Sequence, residues 1–136
     1  MTWLVDTSIA VWLLRKTRPD LTERFEGMPI GSCCLSVVCY FELLVGAEKG
    51  ARRERELRDI HWLTMAMPVM PLTDDVGPAY AAIHADLERR GKIIGPLDLL
   101  IAAHALTLGA TLVTGNESEF RRVTGLKVEN WAIRKR

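Results

Sequence analysis

The sequence predicts an α/β fold, a short parallel sheet of four to five strands flanked by helices in three layers. Two observations carry this reading. Short apolar runs alternate along the chain with longer segments whose apolar side chains recur at helical spacing, and glycine or proline stands at most of the junctions. Strands spaced by helices pair in parallel through right-handed crossovers, with the helices covering the sheet.

Each element has its own signal. Trp3–Val5 is a short apolar run ending at Asp6, and residues 9–14 stay apolar until Arg15 and Lys16 close a first helix. Thr22 precedes a short helical piece that stops near Gly27 and Pro29. Residues 30–35 read as a second buried strand, and Ser36 is the natural N-cap of the helix after it. That helix, residues 37–47, is apolar nearly all round except for Glu42, and Gly46 and Gly50 break it before a charged helix over 51–63. Residues 68–72 give a third strand. Thr73, with Asp74 and Asp75, opens a helix in which Ala79, Ile83 and Leu87 recur at helical spacing up to Arg90, with Gly91 at its end. Gly95 and Pro96 open a helix over 97–108 that Gly109 ends. Residues 110–113 are a fourth strand, 118–123 a short helix and 126–128 a fifth strand.

The 136 residues, 49% hydrophobic and 26% charged, suit a single globular domain over 1–136 that buries roughly two thirds of its unfolded surface. A formal net charge of +1 gives no global case for nucleic acid or a membrane surface, so any such partner has to be argued from local patches. Cys33, Cys34 and Cys39 lack a CxxC pair or a nearby histidine and read as reduced core residues of a cytoplasmic protein. The N-terminal apolar run carries Asp6 and no preceding Lys or Arg, unlike a signal peptide. The uncharged stretch from Leu99 to Asn116 contains His104, Gly109 and Gly115 and breaks into helix, turn and strand, so no membrane association is expected.

In an open parallel sheet, ligands bind beyond the carboxyl ends of the strands. Asp6 ends the first strand, and Thr114, Gly115 and Asn116 end the fourth. Asp98 lies at the start of the helix after Gly95-Pro96, and Glu42 lies about two turns into the helix after the second strand. Each has a plain structural alternative. Asp6 suits an N-cap, Asp98 complements a helix dipole and Asn116 fits a turn. Glu42, surrounded by apolar residues, needs a partner: either an arginine or a metal ion shared with Asp6 and Asp98. Grouped carboxylates without histidine or thiolate ligands favour a hard cation, Mg²⁺ or Mn²⁺, and such a site suits phosphodiester hydrolysis.

The remaining motifs do not compete with this. His61, His84 and His104 form no HExxH pattern, and His104, between Ala103 and Ala105, reads as a packing residue. Positive surface for RNA is offered by Lys49, Arg52, Arg53, Arg55 and Arg58, by the tail at Arg134, Lys135 and Arg136, and above all by Arg89, Arg90 and Lys92, which immediately precede the loop that delivers Asp98. Trp3, Trp12, Trp62 and Trp131 read as core or interface residues. Trp12, Leu13 and Leu14 are candidates to line a groove for a partner segment. A phospho-acceptor receiver domain would need an Asp ending the third strand and a Lys ending the fifth, where Pro71-Leu72-Thr73 and Glu129-Asn130 stand instead.

Taken together, Asp6-Thr7-Ser8, Glu42 in YFELLVGAEK, GPLDLLIAAHAL around Asp98, LVTGNESEF around Asn116 and the closing GLKVENW resemble the PIN-domain ribonucleases of the VapC toxin type, over residues 1–131. The resemblance implies a PIN-like three-layer fold and an Mg²⁺- or Mn²⁺-dependent endoribonuclease. It implies the toxin half of a type II toxin–antitoxin pair, held inactive by a small VapB-like antitoxin, forming homodimers and cleaving structured RNA such as initiator tRNA. By the same resemblance Asp6, Glu42 and Asp98 are the core acids that hold the metal. Asn116 takes the fourth position and Glu119 adds a further charge, while Thr7, Ser8 and Thr114 orient Asp6 through their hydroxyls. The alternative is a PIN-like module that binds RNA or protein without catalysis.

Overall fold

The protein folds around five parallel strands, β1 (Trp3–Val5), β2 (Cys33–Ser36), β3 (Val69–Met70), β4 (Thr111–Val113) and β5 (Val128–Glu129), in the order β3-β2-β1-β4-β5. The computed structural model describes residues 1–132. In register, Val5 pairs with Leu35 on one side and Val113 on the other. Leu4, Val5, Leu35, Leu112 and Val113 are wholly buried, which is why the central strands read as continuous apolar runs rather than alternating ones. Because every strand runs the same way, all carboxyl ends share one edge. The strand order reverses between β1 and β4, and the crevice of such a sheet opens at that point.

The helices arise from their caps and apolar faces. Helix α1 (Thr7–Arg15) starts at Asp6, whose carboxylate accepts from the Ile9 amide. Helix α2 is Pro19–Glu26. Helix α3 (Val37–Lys49) starts at Ser36, whose hydroxyl accepts from the Val38 amide, and α4 is Arg53–Ala66. Helix α5 (Gly77–Arg89) leads through an exposed turn to α6 (Pro96–Leu108), and α7 is the single turn Glu117–Phe120. Helix α6 buries Leu99, Ile101, Ala102, Ala103, His104 and Ala105 and stops at Gly109, whose φ of 65° is the left-handed conformation that suits glycine. No helix among the described residues is long and apolar enough to cross a membrane. Cys33, Cys34 and Cys39 are buried free thiols.

Several boundaries differ from the sequence expectation, each for a local reason. The second strand begins at Cys33 rather than residue 30, because Pro29 to Ser32 form a turn closed by the Ser32 amide on the Pro29 carbonyl. Ile30 is fully exposed there instead of buried. The third strand shrinks to Val69–Met70 because Pro68 and Pro71 bring no N–H to the ladder. Thr73 bonds its hydroxyl to Asp75 rather than capping a helix, and a 3₁₀ turn (Asp74–Val76) precedes α5. Helix α2 starts at Pro19, ahead of Thr22, as proline's fixed φ suits a first turn. The last strand lies at Val128–Glu129, two residues beyond its expected start.

Candidate active site

Asp6 is the fixed point of the sheet edge. It follows β1 directly, its amide donates to the Val113 carbonyl at 2.9 Å, and the residue is 5% exposed. Ser8 Oγ donates to Oδ1 at 2.7 Å, the Ile9 amide to the same oxygen at 3.2 Å, and the Thr114 hydroxyl to Oδ2. Asp6 is therefore both the N-cap of α1 and a buried acid at the crevice. Burial raises its carboxyl above the usual range, and the Thr114 and Ser8 hydroxyls work against that rise.

Glu42 approaches from α3. The apolar surroundings expected from the sequence are only half present: Val38, Leu43 and Ala47 face the core, while Phe41 and Val45 are more than half exposed. Glu42 is consequently half-buried; among the described residues no arginine is ion-paired with it, and the Thr7 hydroxyl donates to its Oε1 at 2.6 Å. This also corrects the expectation for Thr7. One helical step before Ser8 turns its side chain away from Asp6 and toward α3.

Asp98 stands in the first turn of α6, after Gly95 and Pro96. A helix N-terminus favours a carboxylate by about 0.3–1 kcal/mol, less than one pKa unit. Nevertheless the Asp98 carboxyl is pushed up to about 6, first by partial burial and then by Glu119, Asp6 and Glu42. Burial and the neighbouring acids together outweigh the helix. Glu119 lies within hydrogen-bonding reach of Asp98 and accepts from Asn116 Nδ2 at 3.1 Å. The Asn116 amide is held by Thr114 Oγ1 at 2.9 Å. Acids from three other elements thus bear on Asp98 at the carboxyl edge of β1 and β4.

The donor set fits a hard cation. It is all oxygen, and the one soft donor nearby, the Cys39 thiol, is pushed up to about 12, chiefly by burial, and stays protonated. Among the described residues no three acidic, histidine or cysteine groups stand close enough together to hold a metal ion between them. Mg²⁺ does not require three, since it keeps several waters and uses one or two carboxylates with substrate phosphates.

The other expected residues divide clearly. His104 is 1% exposed with Nδ1 2.9 Å from Ser36 Oγ, and burial holds its imidazole below the ordinary range, as a neutral packing residue. Arg90 is already committed, to Asp86 at 2.6 Å and to the Arg122 carbonyl, whereas Arg89 and Lys92 are exposed. Residues 134–136 lie outside the described residues. Trp12 does not line a groove with Leu13 and Leu14. It packs against Gly115, where a Cβ would come within 3.1 Å of its ring, and Arg18 lies over the Trp12 ring at 5.4 Å. The close approach at Gly115 escaped the sequence reading, and its only trace there is the glycine between Thr114 and Asn116.

Comparison with known proteins agrees with this geometry. The PIN domain family matches residues 3–126. The chain belongs to the PIN-domain family, and within it to the VapC group. It is 35% identical over 130 residues to the tRNA(fMet)-specific endonuclease VapC of Shigella flexneri, covering 96% of this chain and 98% of that protein. Among solved structures it resembles the DNA-bound VapBC of Salmonella typhimurium, with a TM-score of 0.91, 30% identity and coverage of 97% of this chain and 99% of that one. The VapBC2 complex of Rickettsia felis, bound to a promoter DNA fragment, gives the same TM-score and identity over 96% and 99%.

Proposed function

We propose that this chain is a divalent-metal-dependent endoribonuclease, the toxin of a toxin–antitoxin pair, and that it cuts tRNA, initiator tRNA included. The observation that carries the reading is the gathering of Asp6, Glu42 and Glu119 around Asp98, whose carboxyl is pushed up to about 6 by partial burial and by these acids. Such a cluster is uncomfortable without a cation. The tRNA assignment leans on the specificity for which the Shigella flexneri relative is named.

Asp6, Glu42 and Asp98 would hold Mg²⁺ or Mn²⁺, which when bound activates water and neutralises charge on the phosphate. Ser8 and Thr114 fix both oxygens of Asp6, and Thr7 fixes Glu42, so the acids are oriented before substrate arrives. Asn116 steers Glu119 toward Asp98 instead of acting as a ligand itself. Arg89 and Lys92, exposed before the loop to Asp98, contact RNA phosphates, while Arg90 braces α5.

A small VapB-like antitoxin would occupy the apolar cleft of about 620 Å³ lined by Leu13, Leu14, Phe25, Met28, Ile30 and Trp62. The assignment is supported by the exposure of Ile30 and Trp62 and by the VapBC complexes among the structural relatives. A second copy of the chain would cover Phe41 and Val45 on α3, giving a homodimer. The test of the enzymatic reading is cleavage of total tRNA in Mg²⁺ and in EDTA with mapping of the new ends. Discrete cleavage only with metal supports it, and a protein that binds tRNA without cutting it points to the non-catalytic module.

A further inference from the structure

A second cleft, of about 400 Å³, runs between α1, α3 and α4 and ends at Glu42. Its floor is apolar, formed by Val11, Leu14, Leu43, Ala47 and Ile60. Its rim carries Arg15, Arg52 and Arg55, all exposed. Among the described residues none of these three is in an ion pair, whereas Arg53 on the same helix is tied to Glu48 at 2.6 Å and Arg90 to Asp86 at 2.6 Å. Acids border the cleft too. Glu56 folds its carboxylate over Gly50, where a Cβ would lie 2.6 Å from Oε2, and Asp59 is shared with the neighbouring apolar cleft. The arginines therefore remain available to an incoming anion.

We infer that this cleft is a nucleotide subsite of the substrate strand, taking a base of the RNA on its apolar floor and the adjoining phosphate on Arg15, Arg52 and Arg55. The inference rests on the ribonuclease reading. An apolar floor with cationic groups at its edge matches the two faces of a nucleotide, a base that stacks on apolar surface and a phosphate that takes guanidinium hydrogen bonds. The volume falls in the small-ligand range of roughly 300–1,000 Å³. Glu42 belongs both to the cleft and to the acid cluster, so a nucleotide seated there lies next to the phosphate being cut. Cleavage specificity would then be read on the α3–α4 side of the site.

Gly46 gives a clean probe, because it lines the cleft and a Cβ there would meet nothing within 4 Å. Gly46→Met adds a long side chain at the cleft from a position open at Cβ, and loss of a mid-helix glycine favours folding. Initial rates on initiator tRNA in Mg²⁺ would be compared for the parent protein, Gly46→Ala, Gly46→Met and Arg52→Gln/Arg55→Gln. Lys127→Gln, a charge lost before β5 at the opposite sheet edge, is the control. The expected result is a KM raised about tenfold or more by Gly46→Met and by the arginine pair, with Gly46→Ala and Lys127→Gln near the parent. The arginine pair should also flatten the dependence of KM on salt, as phosphate contacts require.

Unchanged KM in both Gly46→Met and the arginine pair, beside an active parent, overturns the subsite and leaves the ribonuclease reading standing. Normal cleavage by Gly46→Met, with lost inhibition by the antitoxin, assigns the cleft to the protein partner and overturns it as well. A parent protein that cuts no tRNA removes the ribonuclease reading and the subsite with it.

Discussion

The Thr7 hydroxyl donates to Glu42 Oε1 at 2.6 Å and thereby ties the first turn of α1 to the middle of α3. Thr7 immediately succeeds Asp6, so one dipeptide at the end of β1 supplies an acid to the site and the group that orients a second acid. Removing that hydroxyl should loosen Glu42 without removing any charge. Thr7→Val is expected to lower kcat several-fold and to cost about 0.5–1.5 kcal/mol of stability, the usual net worth of one hydrogen bond. Thr7→Ser should restore most of both. Denaturant unfolding and initial rates on the three proteins check this, and a Thr7→Val protein with parental kcat would detach Thr7 from the site.

Asp98 makes the metal-free protein pH-sensitive in a defined direction. Its folded pKa of about 6 lies above the ordinary 3.8, so between these values the folded state holds a proton that the unfolded chain has released. Stability therefore falls as pH rises through about 6. Asp6 is raised as well and adds in the same direction. In EDTA, Tm should be higher at pH 5.5 than at pH 7.5, and Asp98→Asn should reduce that difference while raising Tm at pH 7.5. A Tm that climbs steadily with pH over this window would contradict a raised Asp98 carboxyl.

Metal should relieve the same repulsion. Mg²⁺ or Mn²⁺ at a hundred times its dissociation constant stabilises a protein that binds it only when folded by about 2.7 kcal/mol. Calorimetry at pH 7.5 with and without the ion is expected to show a rise in Tm that Asp98→Asn largely removes. Equal shifts in the two proteins would place the ion elsewhere.

Gly115 leaves little room for a side chain, since a Cβ there would meet Trp12 Cζ3 at 3.1 Å and Ser8 Oγ at 3.4 Å, and the neighbours would have to give by a few tenths of an ångström. Ser8 Oγ both accepts from the Gly115 amide and donates to Asp6. Gly115→Ala should cost about 1–3 kcal/mol as an overpacking substitution. It should also lower activity by pushing Ser8 off Asp6. Parallel unfolding and rate measurements would show the two losses together.

How much the sequence disclosed depended on how local each cause was. Helix α6 and its Asp98 were legible because Gly95-Pro96 opens it and Gly109 closes it, both local devices. Asp6 was legible because the strand before it is apolar and Ile9 begins the apolar face of the helix after it. The exposure of Ile30 is not legible because an apolar residue in a turn has the same hydropathy as one in a strand, and only the turn's backbone bond tells them apart. The surroundings of Glu42 are not legible in the sequence because an apolar helix reads as buried all round, whereas Phe41 and Val45 face outward. The pairing of Thr7 with Glu42, 35 residues apart, depends on how α1 and α3 pack and has no signature in either segment. The commitment of Arg90 to Asp86 did have one, the i,i+4 spacing on a helix.

The most direct test of the central claim is tRNA cleavage by the purified chain, freed of any partner, in Mg²⁺ and in EDTA, beside an Asp98→Asn protein of confirmed fold. Discrete new RNA ends that require both the metal and Asp98 are the predicted result. Cleavage that persists in EDTA or in Asp98→Asn would contradict a metal-dependent site built on Asp6, Glu42 and Asp98.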